Sequence, residues 1–317
     1  MMKFSKFVAY GSYLPKKILT NKDLEQIFDT SDEWIQTRTG IQQRHIVEEG
    51  QKTSDLAFAA AQDALGDNDS LKNQIDLILV ATTTPDKIFP SVACAVQRKL
   101  NLKNIPAFDI QAVCSGFIYA LATADSFIRS GVYKKILVIG ADSMSTITDY
   151  SDRSNAILWG DGAGAVIVEA SDEPGIIKNI INSNGEHEEL LHVPRESKEN
   201  QPNTIEMQGN AVFKIAVNTL DQIVDETLKG SGYEKKDIDW LVPHQANIRI
   251  LQATAKKLDM SMDHVIVTIN KHGNTSAASI PLALNEGIKT GRIQKGQLIL
   301  MEAFGGGFTW GSSLVRV

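Results

Sequence analysis

Cysteine is scarce in this chain of 317 residues, which contains only Cys94 and Cys114. The two residues do not form a CxxC pair, so the sequence offers neither a disulfide framework nor a cysteine-based zinc site. We therefore expect a protein of a reducing compartment, the cytoplasm, that holds no metal.

Long apolar runs and an excess of basic residues are also missing. No stretch approaches the roughly 20 apolar residues of a membrane span, and no positive-then-apolar secretion signal opens the chain. Lys and Arg number 32 against 38 Asp and Glu, a net charge of -6, which argues against nucleic acid as the main partner. With 43% hydrophobic and 22% charged residues, the composition predicts a soluble globular protein with neither a membrane nor a nucleic acid as partner.

The chain does have an alternation of predicted strands and helices that occurs twice. Buried strands predicted at 75–81 and 135–140 have counterparts at 237–242 and 297–301. The offset between matching elements stays near roughly 160 residues, as expected of an internal duplication. Because strands alternate with helices in each half, we expect mixed sheets covered by helices, a layered α/β architecture.

The duplication divides the chain into an N-terminal half, residues 1–171, and a C-terminal half, residues 172–317, which we expect to form one compact unit. The polar segment 172–208 has no clear period, and we expect a flap or linker there. In the second half we also predict a strand over 265–269 and a helix over 276–289.

Cys114 ends a short apolar run, and apolar residues then recur at helical spacing from Phe117 to Ile128. The cysteine is thus expected where a strand leads into a helix. The N-terminus of a helix stabilises a thiolate and can bind an oxyanion. Taken alone, this pattern fits a nucleophile and a buried structural cysteine equally well.

His244 and Asn274 also follow predicted strands of the duplicated core. Under the offset of the duplication, Asn274 is expected to be the counterpart of Cys114. A lone histidine is usually structural and a loop asparagine is usually a cap, but three such residues in equivalent places favour a joint site. A cysteine can take an acyl group, and two side-chain donors can hold a developing enolate oxygen, so we predict thioester exchange without a metal.

Several motifs occur in the order and at the spacing of one enzyme family. They are Asp32-Glu33-Trp34-Ile35 with Arg38-Thr39-Gly40-Ile41, Ala112-Val113-Cys114-Ser115-Gly116, Gly160-Asp161-Gly162-Ala163-Gly164, Pro243-His244-Gln245-Ala246-Asn247, Gly273-Asn274-Thr275 and Phe304-Gly305-Gly306-Gly307. Together these motifs closely resemble β-ketoacyl-acyl carrier protein synthase III over essentially the whole chain.

The resemblance implies a thiolase-like fold with a duplicated five-layered αβαβα core, a homodimer, and an acyltransferase that needs no cofactor besides its substrates. It implies that acetyl-CoA is condensed with malonyl-acyl carrier protein to acetoacetyl-acyl carrier protein, the first step of type II fatty acid biosynthesis. Cys114 would carry the acetyl group, and His244 and Asn274 would promote decarboxylation. The N–H groups of Cys114 and Gly306 would form the oxyanion hole.

The resemblance also implies three groups of binding residues. Those for CoA are Thr30, Trp34, Arg38, Arg153, Gly209, Asn210 and Asn247. The acyl pocket would include Phe89, which reaches across the dimer into the partner's pocket. Trp159 departs from the family pattern, in which a smaller aromatic residue is expected at this place of the pocket. Both bulky rings should restrict the primer to short chains. The acidic carrier protein would dock on Lys214, Arg249, Lys256 and Lys257.

Other functions fit the same residues. A polyketide-type starter synthase would be distinguished by repeated malonyl extension. Hydroxymethylglutaryl-CoA synthase, a CoA-thioester acyltransferase, would need acetoacetyl-CoA and a catalytic glutamate. In a cysteine thioesterase, water would resolve the acyl-enzyme, and a non-catalytic module would bind acyl-CoA or the carrier protein without turnover.

Overall fold

The computed structural model describes residues 4–195 and 203–317. Its helices are α1 Asn21–Leu24, α2 Asp32–Thr39, α3 Thr53–Leu65, α4 Asp69–Lys72, α5 Val92–Lys99, α6 Gly116–Arg129, α7 Arg153–Ala156, α8 Gly209–Leu228, α9 Ile248–Lys257, α10 Ile269–His272 and α11 Ser279–Lys289. Its strands are β1 Phe4–Tyr13, β2 Lys17–Thr20, β3 Gln43–Ile46, β4 Leu77–Ala81, β5 Ala107–Ile110, β6 Lys135–Ser143, β7 Asp161–Ser171, β8 Ile176–Ser183, β9 Leu191–His192, β10 Glu206–Met207, β11 Trp240–Pro243, β12 Leu298–Gly305 and β13 Thr309–Arg316.

Two mixed sheets form the centre of the molecule. The first has the order β1-β7-β6-β4-β5 and the second the order β8-β13-β12-β11. In the first sheet β4 is parallel to both of its neighbours, β6 and β5, and in the second sheet β11 is parallel to β12. The other neighbouring pairs of both sheets are antiparallel. The counterpart of β5 is reduced to one parallel bridge between Leu241 and Val265, so the predicted strand over 265–269 is wrong.

Helices cover the sheets in three layers. Apolar residues of α6 and α11, such as Phe117 and Ile280, pack between the two sheets in one buried cluster. Residues of α3 and α5 pack on the outer face of the first sheet, and those of α8 and α9 pack on the outer face of the second. The five-layered, duplicated α/β core predicted for the chain is thereby confirmed.

The strand registers define how the two halves correspond. Leu77 pairs with Ile136 as Trp240 pairs with Ile299, so residues of one half match those 163 positions later, 77 with 240 and 136 with 299. The same offset relates two 3-10 turns, Val113–Ser115 and Ser276–Ala278, each of which leads directly into a helix of the middle layer. Both turns begin at a residue of positive φ, +47° at Val113 and +49° at Ser276.

This register corrects two predictions. The structural counterpart of Cys114 is Ala277 and not Asn274, because the strand pairing sets the offset between the halves at 163 residues and not at roughly 160. The segment 172–208 is not wholly a flap, because β8 is an edge strand of the second sheet. After β8, residues 184–195 and 203–208 lie outside the two central sheets and contain the antiparallel pair β9–β10; the rest of the predicted segment, 196–202, lies outside the described residues.

Candidate active site

Cys114 lies in a tight turn between β5 and α6. The residue before it, Val113, has φ +47°, a conformation that a β-branched residue adopts only at a cost of roughly 1–3 kcal/mol. This strained turn places the cysteine at the start of a 14-residue helix, where unpaired backbone N–H groups gather. The Cys114 N–H donates to no other described residue.

The glycine-rich segment after β12 closes over this turn. A Cβ atom on Gly305 would lie only 2.8 Å from the Cys114 nitrogen, so no side chain fits there. The Ser115 hydroxyl donates to Thr309 Oγ1 at 2.7 Å, and the Thr309 hydroxyl is within 2.9 Å of the Ala112 oxygen and 3.1 Å of the Gly306 oxygen. These bonds tie the segment that contains Gly306 to the turn that contains Cys114.

His244 follows β11 and is buried. Its ring Nδ1 lies 2.6 Å from Ser279 Oγ, the first residue of α11, and that oxygen also accepts the Gln245 N–H at 3.3 Å. His244 Nδ1 is the only acceptor among the described residues for the Ser279 hydroxyl proton, so we assign the proton of the ring to Nε2. Burial lowers the pKa of His244 to about 3, and the neutral ring therefore presents an Nε2–H donor.

Asn274 is held by both its backbone and its side chain. Its N–H donates to Leu158 at 2.8 Å, and its carbonyl accepts the Gly160 N–H at 2.9 Å. Its side-chain oxygen accepts the Ser276 N–H at 2.9 Å. The oxygen of the amide is thus engaged, and its NH₂ group is left as a donor.

These three side chains line one cavity of about 680 Å³. Burial raises the pKa of the Cys114 thiol to about 12, an effect that the nearby Ser276 hydroxyl opposes and the Asp142 carboxylate reinforces. The three side chains are therefore a thiol, a neutral imidazole and an amide, and together they carry no net charge. Within residues 4–195 and 203–317, no group of three or more His, Cys, Asp or Glu side chains is arranged to hold a metal.

Most of the predicted CoA residues lie along the same cavity. The cavity is lined by Trp34, Arg38, Gly209, Asn210 and Asn247. Arg153 does not line it, but its guanidinium lies 4.9 Å from the centre of the Trp34 ring. Thr30 is outside the lining, and its hydroxyl is buried without a partner.

The two predicted acyl-pocket residues are in different places. Trp159 is buried in the cavity wall, next to Asn274 in a parallel bridge, and packs with Met144 and Ile205. Phe89 is 82% exposed, beside the equally exposed Ile88, and does not line the cavity of its own chain.

The four predicted carrier-protein residues are not equivalent. Lys214 and Arg249 are exposed and line the cavity, and Lys256 is exposed on α9. Lys257 instead forms ion pairs with Asp221 at 3.1 Å and Asp225 at 2.9 Å, so its charge is already balanced.

Sequence reasoning missed four residues that shape the site: Ser279, Thr309, Asp142 and Glu302. Ser279 and Thr309 carry ordinary hydroxyls, and only the fold shows which groups they meet. Asp142 and Glu302 lie in strands among apolar residues, and an acidic residue in an apolar strand was the available signal.

Solved structures share this fold and its dimensions. The chain superposes on 3-oxoacyl-[acyl-carrier-protein] synthase III from Aquifex aeolicus with a TM-score of 0.94 and 48% identity, covering 99% of this chain and 100% of that one. It superposes on the priming β-ketosynthase of the R1128 polyketide pathway with a TM-score of 0.93 and 33% identity, covering 100% and 97%. The fold and these similarities define a condensing enzyme of the thiolase superfamily, an acyltransferase.

Sequence comparisons give the family. Models of 3-oxoacyl-[acyl-carrier-protein (ACP)] synthase III match residues 108–185, and models of its C-terminal part match residues 228–317. The β-ketoacyl-[acyl-carrier-protein] synthase III of Thiobacillus denitrificans is 61% identical over 318 residues, which cover 99% of this chain and 100% of that relative. The chain belongs to the β-ketoacyl-acyl carrier protein synthase III family, the condensing enzymes that initiate fatty acid biosynthesis.

Proposed function

We propose that this enzyme condenses acetyl-CoA with malonyl-acyl carrier protein, with Cys114 as nucleophile and His244 and Asn274 as hydrogen-bond donors. The observation that carries the proposal is one cavity in which a thiol at a helix start meets two neutral donors whose other polar atoms are already bonded. Donors fixed in advance stabilise a developing oxyanion without reorganising at the moment of reaction.

In the first half-reaction, the Cys114 sulfur attacks the thioester carbonyl of acetyl-CoA. The N–H groups of Cys114 and Gly306 hold the oxyanion of the tetrahedral intermediate. The carbon–sulfur bond to CoA then breaks, and the proton of the cysteine leaves with the CoA thiol. Because burial raises the pKa of Cys114 to about 12, the thiol must lose its proton as the substrate binds, aided by the helix start.

In the second half-reaction, the thioester oxygen of the malonyl group accepts hydrogen bonds from His244 Nε2 and the Asn274 amide. The bond between Cα and the carboxylate breaks, carbon dioxide leaves, and the electron pair remains on an enolate that the two donors stabilise. Cα then attacks the acetyl carbonyl, and the Cys114 sulfur leaves as a thiolate. Two neutral donors suit this step because a nearby positive charge would hold the malonyl carboxylate in place instead of releasing it.

The function is tested with acetyl-CoA and malonyl-acyl carrier protein, measuring carbon dioxide and the acetoacetyl product. Cys114→Ala should abolish acetyl transfer, whereas Cys94→Ala, which changes the other cysteine of the chain, should leave it intact. Asn274→Ala should accept the acetyl group and fail to decarboxylate. Full condensation by Cys114→Ala would disprove the proposal, and binding without turnover by the wild type would indicate a non-catalytic module.

We further propose that the enzyme is a homodimer in which Phe89 completes the partner's acyl pocket. A phenylalanine that is 82% exposed beside an 85% exposed isoleucine is an apolar pair that a partner surface would cover. Sedimentation should give twice the chain mass, and Phe89→Ala should raise the use of longer acyl-CoA primers relative to acetyl-CoA. Equal use of long and short primers by the wild type would refute this role.

The carrier protein is proposed to approach over Lys214, Arg249 and Lys256, while Lys257 contributes less because Asp221 and Asp225 neutralise it.

Within the described residues, no helix has the length and apolar character needed to cross a membrane. The cytoplasm is proposed as the location from the scarcity of cysteine. The alternative of a polyketide starter synthase is decided by whether the product receives further malonyl units.

A further inference from the structure

Glu302 is a carboxyl group buried in the wall of the active-site cavity. It is 1% exposed, and among the described residues neither of its carboxyl oxygens is in good hydrogen-bond geometry with any donor; only the Thr254 hydroxyl approaches it. The residues that line the cavity with it include the apolar Ala216, Leu220, Ile250 and Phe304. A buried carboxyl group without partners is among the costly features of a folded protein, so its presence calls for a reason.

The duplicated fold contains its own control for this position. Pro243 pairs with Glu302 as Val80 pairs with Ile139, so Ile139 is the counterpart of Glu302 in the first half. Ile139 is fully buried in the apolar cluster of the first sheet. An aliphatic side chain therefore packs well at this position of the sheet, and we infer that Glu302 has a role other than packing.

The surroundings keep the Glu302 carboxyl protonated. Burial raises its pKa to about 8, and the Thr254 hydroxyl of α9 opposes this rise. Ala216 and Leu220 of α8 and Ile250 of α9 line the cavity with it. No charged side chain from the neighbouring elements contributes to its pKa; His244, at the end of β11, is the neighbouring titratable group, and it is neutral.

The proposed reaction needs a proton that the substrates do not bring. Condensation releases Cys114 as a thiolate, and burial strongly disfavours a thiolate there. Arg38, Lys214 and Arg249, the cationic groups that line the cavity, are exposed at its outer end. Neutral His244 is a far weaker acid than a carboxylic acid. The acidic proton available inside the cavity is that of Glu302.

We propose that Glu302 donates the proton that returns Cys114 to its thiol form after each condensation, through water molecules in the cavity. The O–H bond of the carboxyl breaks, water carries the proton, and an S–H bond forms on Cys114. Glu302 becomes a carboxylate and regains a proton from solvent when the product leaves. This inference rests on the proposed function, in which Cys114 carries the acetyl group.

The two half-reactions separate this role from a structural one. Glu302→Gln keeps the shape of the side chain but has no acidic proton, and Glu302→Ile copies the first half. Acetylation of Cys114 by acetyl-CoA, followed by mass spectrometry over one turnover, should be unchanged in Glu302→Gln. Steady-state condensation should fall at least about tenfold, as expected when an acid is removed, and the loss of activity of the wild type above about pH 8 should vanish. Glu49→Gln, a change at an exposed carboxylate, is the control and should behave as the wild type.

Glu302→Ile should be at least as stable as the wild type in urea. Its condensation should be as slow as that of Glu302→Gln. Wild-type condensation rates with an unchanged pH profile in Glu302→Gln would overturn the proposal. Equal loss of acetylation and condensation would also overturn it, because it would show a role in shape or binding. A failure of the proposed function itself appears differently, as a wild type that is not acetylated at Cys114.

Discussion

The two halves of the molecule contain the same turn and helix, but the N–H groups at the start of that helix have different partners in the two halves. In the first half, the N–H of Cys114 faces Gly305 and donates to no other described residue. In the second half, the equivalent N–H of Ala277 donates to the Asp142 carboxylate at 3.1 Å. Asp142 and Gly305 are themselves counterparts under the register of the duplication.

The residue at this one position, Asp142 in one half and Gly305 in the other, decides whether the N–H groups at the start of the helix are free to bind a ligand. Asp142 accepts hydrogen bonds from Thr83 N at 2.7 Å and Thr84 N at 3.2 Å as well as from Ala277. Its carboxylate fills the place that an oxyanion would take and joins two loops. Gly305 leaves that place open, because it has no side chain. The N–H groups at the helix start of the first half thus remain available to a ligand. In the second half the Asp142 carboxylate accepts the equivalent N–H and stabilises the fold.

The strongest test of this comparison is to fill the space beside the Cys114 N–H with a side chain at position 305. Gly305→Ala places a Cβ atom about 2.8 Å from the Cys114 nitrogen, which forces the turn or the strand to move. We expect acetylation of Cys114 to fall by roughly 100-fold or more, the effect of losing an oxyanion-hole donor. Gly185→Ala, where the added Cβ meets no atom within 4 Å, should react normally. Normal acetylation of Gly305→Ala would contradict the comparison.

Removal of the Asp142 carboxylate in the second half should mainly lower the free energy of unfolding. Asp142→Ala leaves the N–H groups of Ala277 and Thr83 buried without acceptors, at about 1–3 kcal/mol each. We expect the free energy of unfolding in urea to fall by about 3 kcal/mol, with acetylation of Cys114 retained in the folded fraction. Asp67→Ala, at an exposed position, is the control. A stability equal to that of the wild type would show that the carboxylate is not needed to seal the second half.

The contrast between Glu302 and Ile139 predicts a pH-dependent stability. The pKa of Glu302 is raised from about 4.5 to about 8 by burial, so between these values the folded chain holds a proton that the unfolded chain has released. Stability due to this group is therefore lost as the pH rises, at up to about 1.4 kcal/mol per pH unit. Urea unfolding between pH 5 and 8 should show a steeper decline for the wild type than for Glu302→Gln. Parallel curves would mean that Glu302 is ionised in the folded protein.

The smallest effect is expected at Ser279, whose hydroxyl orients His244. In Ser279→Ala the imidazole can adopt the other tautomer, and Nε2 would then accept instead of donate. We expect decarboxylation of malonyl-acyl carrier protein to slow by about tenfold, in the range for a supporting hydrogen bond, with acetylation of Cys114 unchanged. Ser130→Ala, on the surface, serves as the control. An equal slowing of both half-reactions would refute the orienting role.

Sequence patterns predicted the fold and named three site candidates that share one cavity. The duplicated, layered core follows from periodicity, and the five layers from the family resemblance that the motif order carries. Cys114 and His244 follow strands as predicted, but Asn274 follows the helix α10. The register of the two halves did not follow, because periodicity locates the ends of strands only to within a few residues and so gives the offset only as roughly 160, whereas the paired strands set it at 163. This difference of three residues moves the counterpart of Cys114 from Asn274 to Ala277.

Pairings between distant segments account for what was missed. Asp142 and Glu302 occur in apolar strands, and the sequence does not show that one accepts the N–H of Ala277 while the other lies among apolar residues of α8 and α9. Lys257 was grouped with a basic surface, but its neighbours on α8 neutralise it. In each case the deciding contact joins residues far apart in the chain.

The most direct measurement is the location of the acetyl group after brief exposure to acetyl-CoA. The protein would be digested and its peptides mapped by mass spectrometry, for the wild type and for the double variant Cys114→Ala with Ala277→Cys. We predict one acetyl group on Cys114 in the wild type and none on either cysteine of the double variant, because Asp142 occupies the hole beside position 277. Acetylation at position 277, or condensation by a wild type whose Cys114 is never acetylated, would contradict the account.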